Sequence, residues 1–87
     1  MTKIYIYCLF DGDYNFLGVY SSLSAVYRDA IRVANKGSSS VKIMTDKGWE
    51  DPSLTTLRNV LYGKCEVAVD LRSGSSRARI LKTKLKE

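Results

Sequence analysis

The residues of this chain that could do chemistry are few in kind. Histidine is absent, which removes the commonest general base, the commonest metal ligand and every Cys/His or Ser/His nucleophilic pair. Cys8 and Cys65 are the only cysteines, and two cysteines without histidine do not build a structural zinc site. In "DGDYN" (11–15), Asp11, Asp13 and Asn15 stand at alternate positions, as a calcium loop begins. Such a loop needs glycine at its sixth position and glutamate at its twelfth, where this chain has Phe16 and Ser22. The segment therefore reads as a hairpin turn. The other acids are scattered over turns and helix starts, Asp51 as a helix cap and Asp29 on a solvated helix face. No glycine-rich phosphate loop accompanies them. The expectation is a protein with no catalytic residues, no cofactor and no metal.

Charge is the remaining chemical signal. The formal charge is +5, and all of it resides in the last sixteen residues, "RSGSSRARILKTKLKE" (72–87). Arg72, Arg77, Arg79, Lys82, Lys84 and Lys86 stand there against Glu87 alone, while residues 1–71 balance eight basic side chains with eight acidic ones. Clustered cations beside the hydroxyl-rich "SGSS" turn suit phosphate contacts, and these six are the candidate nucleic-acid-binding residues. The competing account is a solvated edge strand. If Asp70 faces Arg77, Ala68 faces Arg79 and Val67 faces Ile80, the arginines form cross-strand pairs near Asp70 and Glu66, and the lysines guard an edge. Two acids, however, cannot neutralise six positives, and a surface needing only solubility intersperses its signs.

The elements that must position these residues follow from periodicity. "KIYIYCLF" (3–10) and "FLGVYS" (16–21) read as two strands of a hairpin around the 11–15 turn. Ser21 and Ser22 can cap a helix over 23–35, whose apolar stripe is Leu23, Val26, Tyr27, Ala30, Val33 and Ala34, with Gly37 ending it. "VKIMT" (41–45) is a third strand and "DKGWE" a loop. Asp51 and Pro52 start a helix over 52–62 that buries Leu54, Leu57, Val60 and Leu61. "CEVAVDL" (65–71) alternates, with Cys65, Val67, Val69 and Leu71 inward. After the "RSGSS" turn, "RARIL" begins the last strand. The order ββαβαββ, over a single domain of 87 residues, implies an α+β two-layer sandwich. Its mostly antiparallel five-stranded sheet carries both helices on one face.

Two aromatic groups also stand out from the pattern of strands and helices. With the helices on the Ile4, Ile6, Cys8 and Phe10 side of the first strand, Tyr5, Tyr7 and Leu9 fall on the open face. There they could stack unpaired bases or, more in keeping with the absence of an RNA-recognition consensus, form a homodimer interface or simply pack. Trp49, in the glycine-bearing loop, reads as packing over the core edge or as a protein-binding anchor. Both cysteines sit in apolar runs, and reduced thiols in a cytoplasmic protein are the expected state, with a disulfide the alternative. The apolar run at 4–10 is too short for a secretory signal, and no segment reaches the ~20 apolar residues of a membrane span.

The stretch "FLGVYSSLSAVYRDAIRVA" (16–34) resembles a pattern of small accessory proteins of tailed phages, in which a strand ending in Gly-Val, then Tyr or Phe, then Ser-Ser runs into an amphipathic helix. Size, basicity and the lack of catalytic residues are similar to host-takeover proteins of T4-like phages, among them the phage inhibitors of type III toxin endoribonucleases, which act together with RNA. The resemblance implies a non-enzymatic RNA-binding inhibitor of a host defence enzyme, working in the host cytoplasm through a protein–RNA complex. It carries over no individual residue. The alternative is a protein-only inhibitor or adaptor that binds an acidic partner without nucleic acid.

Overall fold

The computed structural model describes residues 4–35 and 40–85. The chain runs β1 (Tyr5–Asp11), β2 (Phe16–Tyr20), α1 (Leu23–Ala34), β3 (Lys42–Thr45), β4 (Gly48–Glu50), α2 (Leu54–Leu61), β5 (Val67–Ser73) and β6 (Ser76–Lys84). This is α+β with two helices and an antiparallel sheet, but the sheet has six strands, in the order β2-β1-β6-β5-β3-β4. The extra strand is β4, drawn from the expected "DKGWE" loop. Gly48 adopts φ 103, which turns the chain back on β3, and Met44 then pairs with Trp49.

Each helix begins at a serine. Ser22 Oγ accepts from Ala25 N at 3.3 Å, and α1 buries Val26, Ala30 and Ala34, part of the expected stripe. The start of α2 differs from expectation. Ser53, not Asp51, is the cap, its Oγ accepting from Thr56 N at 2.9 Å. Asp51 is engaged elsewhere, accepting a hydrogen bond from Lys42 Nζ on β3. Asp29 is likewise not merely solvated. It accepts from Tyr20 OH at 2.6 Å, pairing α1 with β2, and forms an ion pair with Arg32. Gly37 lies outside the described residues.

The core lies between the helices and one face of the sheet, where Leu9, Ile43, Val69, Leu71, Ala78 and Ile80 meet Val26, Ala30, Leu57 and Leu61. Leu9 is only 1% exposed. Alternation along β1 therefore puts Tyr5, Tyr7 and Leu9 on the helix side and Ile6, Cys8 and Phe10 on the open side, the reverse of the expected assignment. The physical reason is the packing of Leu9 into the core beside Ile80, and the ends of the strand follow. Phe10 meets Phe16 of β2 edge-to-face at 5.8 Å on the open side, while Tyr5 and Tyr7 reach the margin of the helix layer, where Tyr5 OH contacts Cys65 Sγ at 3.6 Å. A homodimer interface through Leu9 is thus ruled out by burial, and Tyr5 and Tyr7 are not on the open face.

The β5–β6 register is also shifted by two residues from expectation. Gly74 at φ 60 opens a two-residue turn, with Ser73 opposite Ser76. Asp70 consequently faces Arg79, Ala68 faces Leu81 and Val67 faces Lys82. The 11–15 segment is the hairpin turn expected. Asp11 Oδ1 accepts from Asp13 N and Asn15 N at 2.9 Å each, and Oδ2 from Asn15 Nδ2 at 3.0 Å. Cys65 precedes β5 and is exposed rather than inward-facing; neither it nor Cys8 is in a disulfide. Among the described residues no helix is long and apolar enough to cross a membrane.

Candidate nucleic-acid interface

The sheet divides the basic segment between its two sides. Arg77 and Arg79 of β6 and Arg72 of β5 point to the open face, because Ala78, Ile80, Leu71 and Ser73 between them are buried. Lys82 points to the helix side. Its Nζ donates to Leu61 O at 3.0 Å and lies 4.5 Å from the centroid of the Tyr5 ring. Lys84, opposite Tyr5 in the register, shares that side, and Lys86 lies outside the described residues. The six candidate cations do not form one surface.

The open face instead gathers a set that the linear charge count could not show. Arg77 is directly opposite Arg72, and Arg72 is directly opposite Lys42 of β3. Three cations thus form a row across β6, β5 and β3. Like charges directly opposite on a sheet repel, so the row costs stability. Lys42 is offset by Asp51, whose carboxyl the lysine holds below its ordinary range. Arg72 and Arg77 have no carboxylate in an ion pair with them among the described residues.

Trp49 completes this half of the face. It lies on β4, 38% exposed, and the Arg72 guanidinium sits 5.1 Å from its ring centroid. Lys42, Trp49 and Arg72, with Ser40 and Gly74, line a concavity of about 470 Å³. Trp49 therefore does not fold back over the core edge. Arg79 behaves differently from its neighbours. Nε and Nη2 donate to the two oxygens of Asp70 at 2.8 and 3.2 Å, and its guanidinium lies 5.1 Å from the Tyr14 ring centroid. The hydrogen bond to Asp70 is the main reason its pKa is raised. It is the cross-strand pair that the solvated-edge account expected, with a different partner residue.

The other half of the open face is apolar. Val19, Cys8, Leu81 and Ala68 follow one another across β2, β1, β6 and β5, flanked by the Phe16–Phe10 pair. Phe16 and Val19 are 58% and 55% exposed.

Lys42 was missed by sequence reasoning because it lies thirty residues from the basic segment, and only the β3–β5 pairing brings it to Arg72. Among the described residues no group of three or more His, Cys, Asp and Glu side chains could hold a metal ion. No family model matches the chain, and no curated protein or solved structure matches it.

Proposed function

We propose that this protein is a non-enzymatic binder of single-stranded RNA that uses the open face of its sheet. The observation that carries the reading is the Arg77, Arg72, Lys42 row beside exposed Trp49. A row of cations without full neutralisation suits an anion that fills it, and RNA phosphates supply anions at regular spacing. An aromatic ring at the end of such a row offers a stacking surface for an unpaired base, whichever base it is. Binding of this kind is governed by phosphate contacts and carries little sequence information. Together with the resemblance to host-takeover proteins of T4-like phages, it points to an inhibitor that holds RNA and a host defence enzyme in an unproductive complex in the host cytoplasm.

The reading includes a homodimer, formed through β2 rather than through Tyr5, Tyr7 and Leu9. β2 is an edge strand without charge or proline, the kind of edge that proteins otherwise guard. Its sequence, Phe-Leu-Gly-Val-Tyr, is self-complementary about Gly18, setting Phe16 against the second copy's Tyr20 and Leu17 against its Val19. The opposite edge, β4, is three residues long and carries Glu50. A two-fold axis between the paired β2 strands leaves both open faces on one side of a continuous sheet. Seven strand spacings would then separate the two Arg72 positions, roughly 34 Å at about 4.8 Å per strand.

The apolar half of the open face favours a second reading, a protein-only adaptor that covers Phe16 and Val19 with an acidic partner. Purification from cells separates the two. RNA binding predicts co-purified nucleic acid, seen as a high 260/280 absorbance ratio that ribonuclease or high salt removes. A protein that is free of nucleic acid and binds no RNA at low salt leaves only the adaptor.

A further inference from the structure

A second cationic and aromatic site lies on the opposite layer from the open face. At the margin of the helix layer, a cleft of about 510 Å³ is lined by Tyr5, Tyr7, Arg58, Tyr62, Lys64, Cys65 and Lys82, together with Leu23 and Leu61. That volume is within the ~300–1,000 Å³ of ordinary small-molecule sites. No carboxylate lines it. Lys82 is fixed by its bond to Leu61 O and its position over Tyr5, whereas Arg58 and Lys64 are exposed and take no part in an ion pair among the described residues. Leu23 is the first residue of α1, so the positive end of that helix dipole also borders the cleft. Tyr62 is 80% exposed, a large aromatic surface beside three cations, held out where α2 gives way to Gly63 at φ 73.

We propose that this cleft binds one nucleotide, its phosphate on Arg58 and Lys64 and its base against the Tyr62 and Tyr7 rings. The charge excludes a metal cation, and the ring of lysine, arginine and tyrosine heads disfavours a purely aliphatic ligand. A planar group bearing an anion satisfies both features. The nucleotide can come free from solution or from an RNA strand, and the chemistry recognised is the same. The site does not depend on the open-face reading, from which it is separated by the sheet.

Cys65, on the cleft wall, is a built-in reporter. The test is the rate at which an uncharged maleimide modifies Cys65 in the full chain, with Cys8 on the far face followed separately by peptide mass. Adenosine or uridine monophosphate at about four times its dissociation constant should slow Cys65 about fivefold, since protection follows the bound fraction, and leave Cys8 unchanged. Protection by a short RNA but by neither mononucleotide assigns the site to a strand. Arg58→Gln with Lys64→Gln, both at exposed positions, should abolish protection, while Arg72→Gln with Arg77→Gln should retain it for the mononucleotides. Equal protection by inorganic phosphate, no protection by mononucleotide or RNA, or protection that survives the Arg58/Lys64 change each overturns the proposal.

Discussion

Arg77 and Arg79 stand two residues apart on the same face of β6, yet their replacement by glutamine should move stability in opposite directions. Arg77 faces Arg72 and has no ion-pair partner among the described residues. Directly opposed like charges cost about 0.2–1 kcal/mol, so Arg77→Gln should stabilise the fold by roughly 0.5 kcal/mol. In a domain of this size that corresponds to a rise in Tm of about 2–4 °C. Arg79 makes the two-pronged contact with Asp70 and covers Tyr14. An exposed ion pair contributes about 0.2–1 kcal/mol and an exposed cation–π contact about 0.5–1, so Arg79→Gln should cost about 1 kcal/mol, or roughly 4–8 °C. RNA binding adds the second axis. Losing one phosphate contact at Arg77 should flatten the log–log salt dependence by about 0.7 while the protein becomes more stable. Thermal unfolding and fluorescence anisotropy with a labelled single-stranded RNA read the two quantities. An Arg77→Gln protein that is less stable than the parent, with its salt dependence unchanged, refutes the argument that the row exists to bind anions.

Other expectations follow from the same geometry. Leu9→Ala should cost about 2–5 kcal/mol in urea unfolding, as a buried leucine does, whereas Ile4→Ala, at a position 53% exposed just before β1, should stay within about 0.5; equal losses would contradict the burial of Leu9 in the core. Val69→Asp should unfold the chain by burying an unpaired charge, while Ala68→Asp, on the exposed side, should be mild. The hydrogen bond to Asp29 raises the Tyr20 pKa above its ordinary 10.0. The stability this contributes is fully present below the unfolded value and is lost as pH rises through the raised one, so urea midpoints should fall on the alkaline side. Tyr20→Phe should make that fall shallower. For the dimer, the parent chain should sediment as a dimer at high micromolar concentration and Leu17→Lys or Val19→Lys as a monomer; a parent that is monomeric at high micromolar concentration ends the β2 pairing.

Much of the architecture was legible because periodicity reports it directly. The α1 stripe, the alternation of Val67, Val69 and Leu71, and the Asp11 turn each follow from local residue order. The sixth strand was not legible, because three residues starting at a glycine carry too little pattern to separate a strand from a loop. The face of β1 was ambiguous for a different reason. Both alternating sets, Ile6-Cys8-Phe10 and Tyr5-Tyr7-Leu9, are apolar enough to be buried, and only the packing around Leu9 decides between them. The β5–β6 register hung on which residues of "RSGSS" form the turn, and a change in that choice moves every cross-strand partner by two. That is why Arg79, rather than Arg77, meets Asp70. The basic segment looked like one site in linear sequence. Alternation along β6 sends Arg77 and Arg79 to one side and Lys82 to the other, while β3 supplies Lys42 from far along the chain.

The most direct test of the open-face reading is the salt dependence of single-stranded RNA binding by the unmodified protein. Anisotropy of a labelled RNA of mixed sequence, titrated from low salt upward, measures it. With Lys42, Arg72 and Arg77 each meeting one phosphate, the log–log slope should be about −2 per protomer. Trp49, the only tryptophan, should change its fluorescence over the same range as a base reaches its ring. No binding at low salt, or binding that is insensitive to salt and leaves Trp49 fluorescence unaltered, would contradict the account.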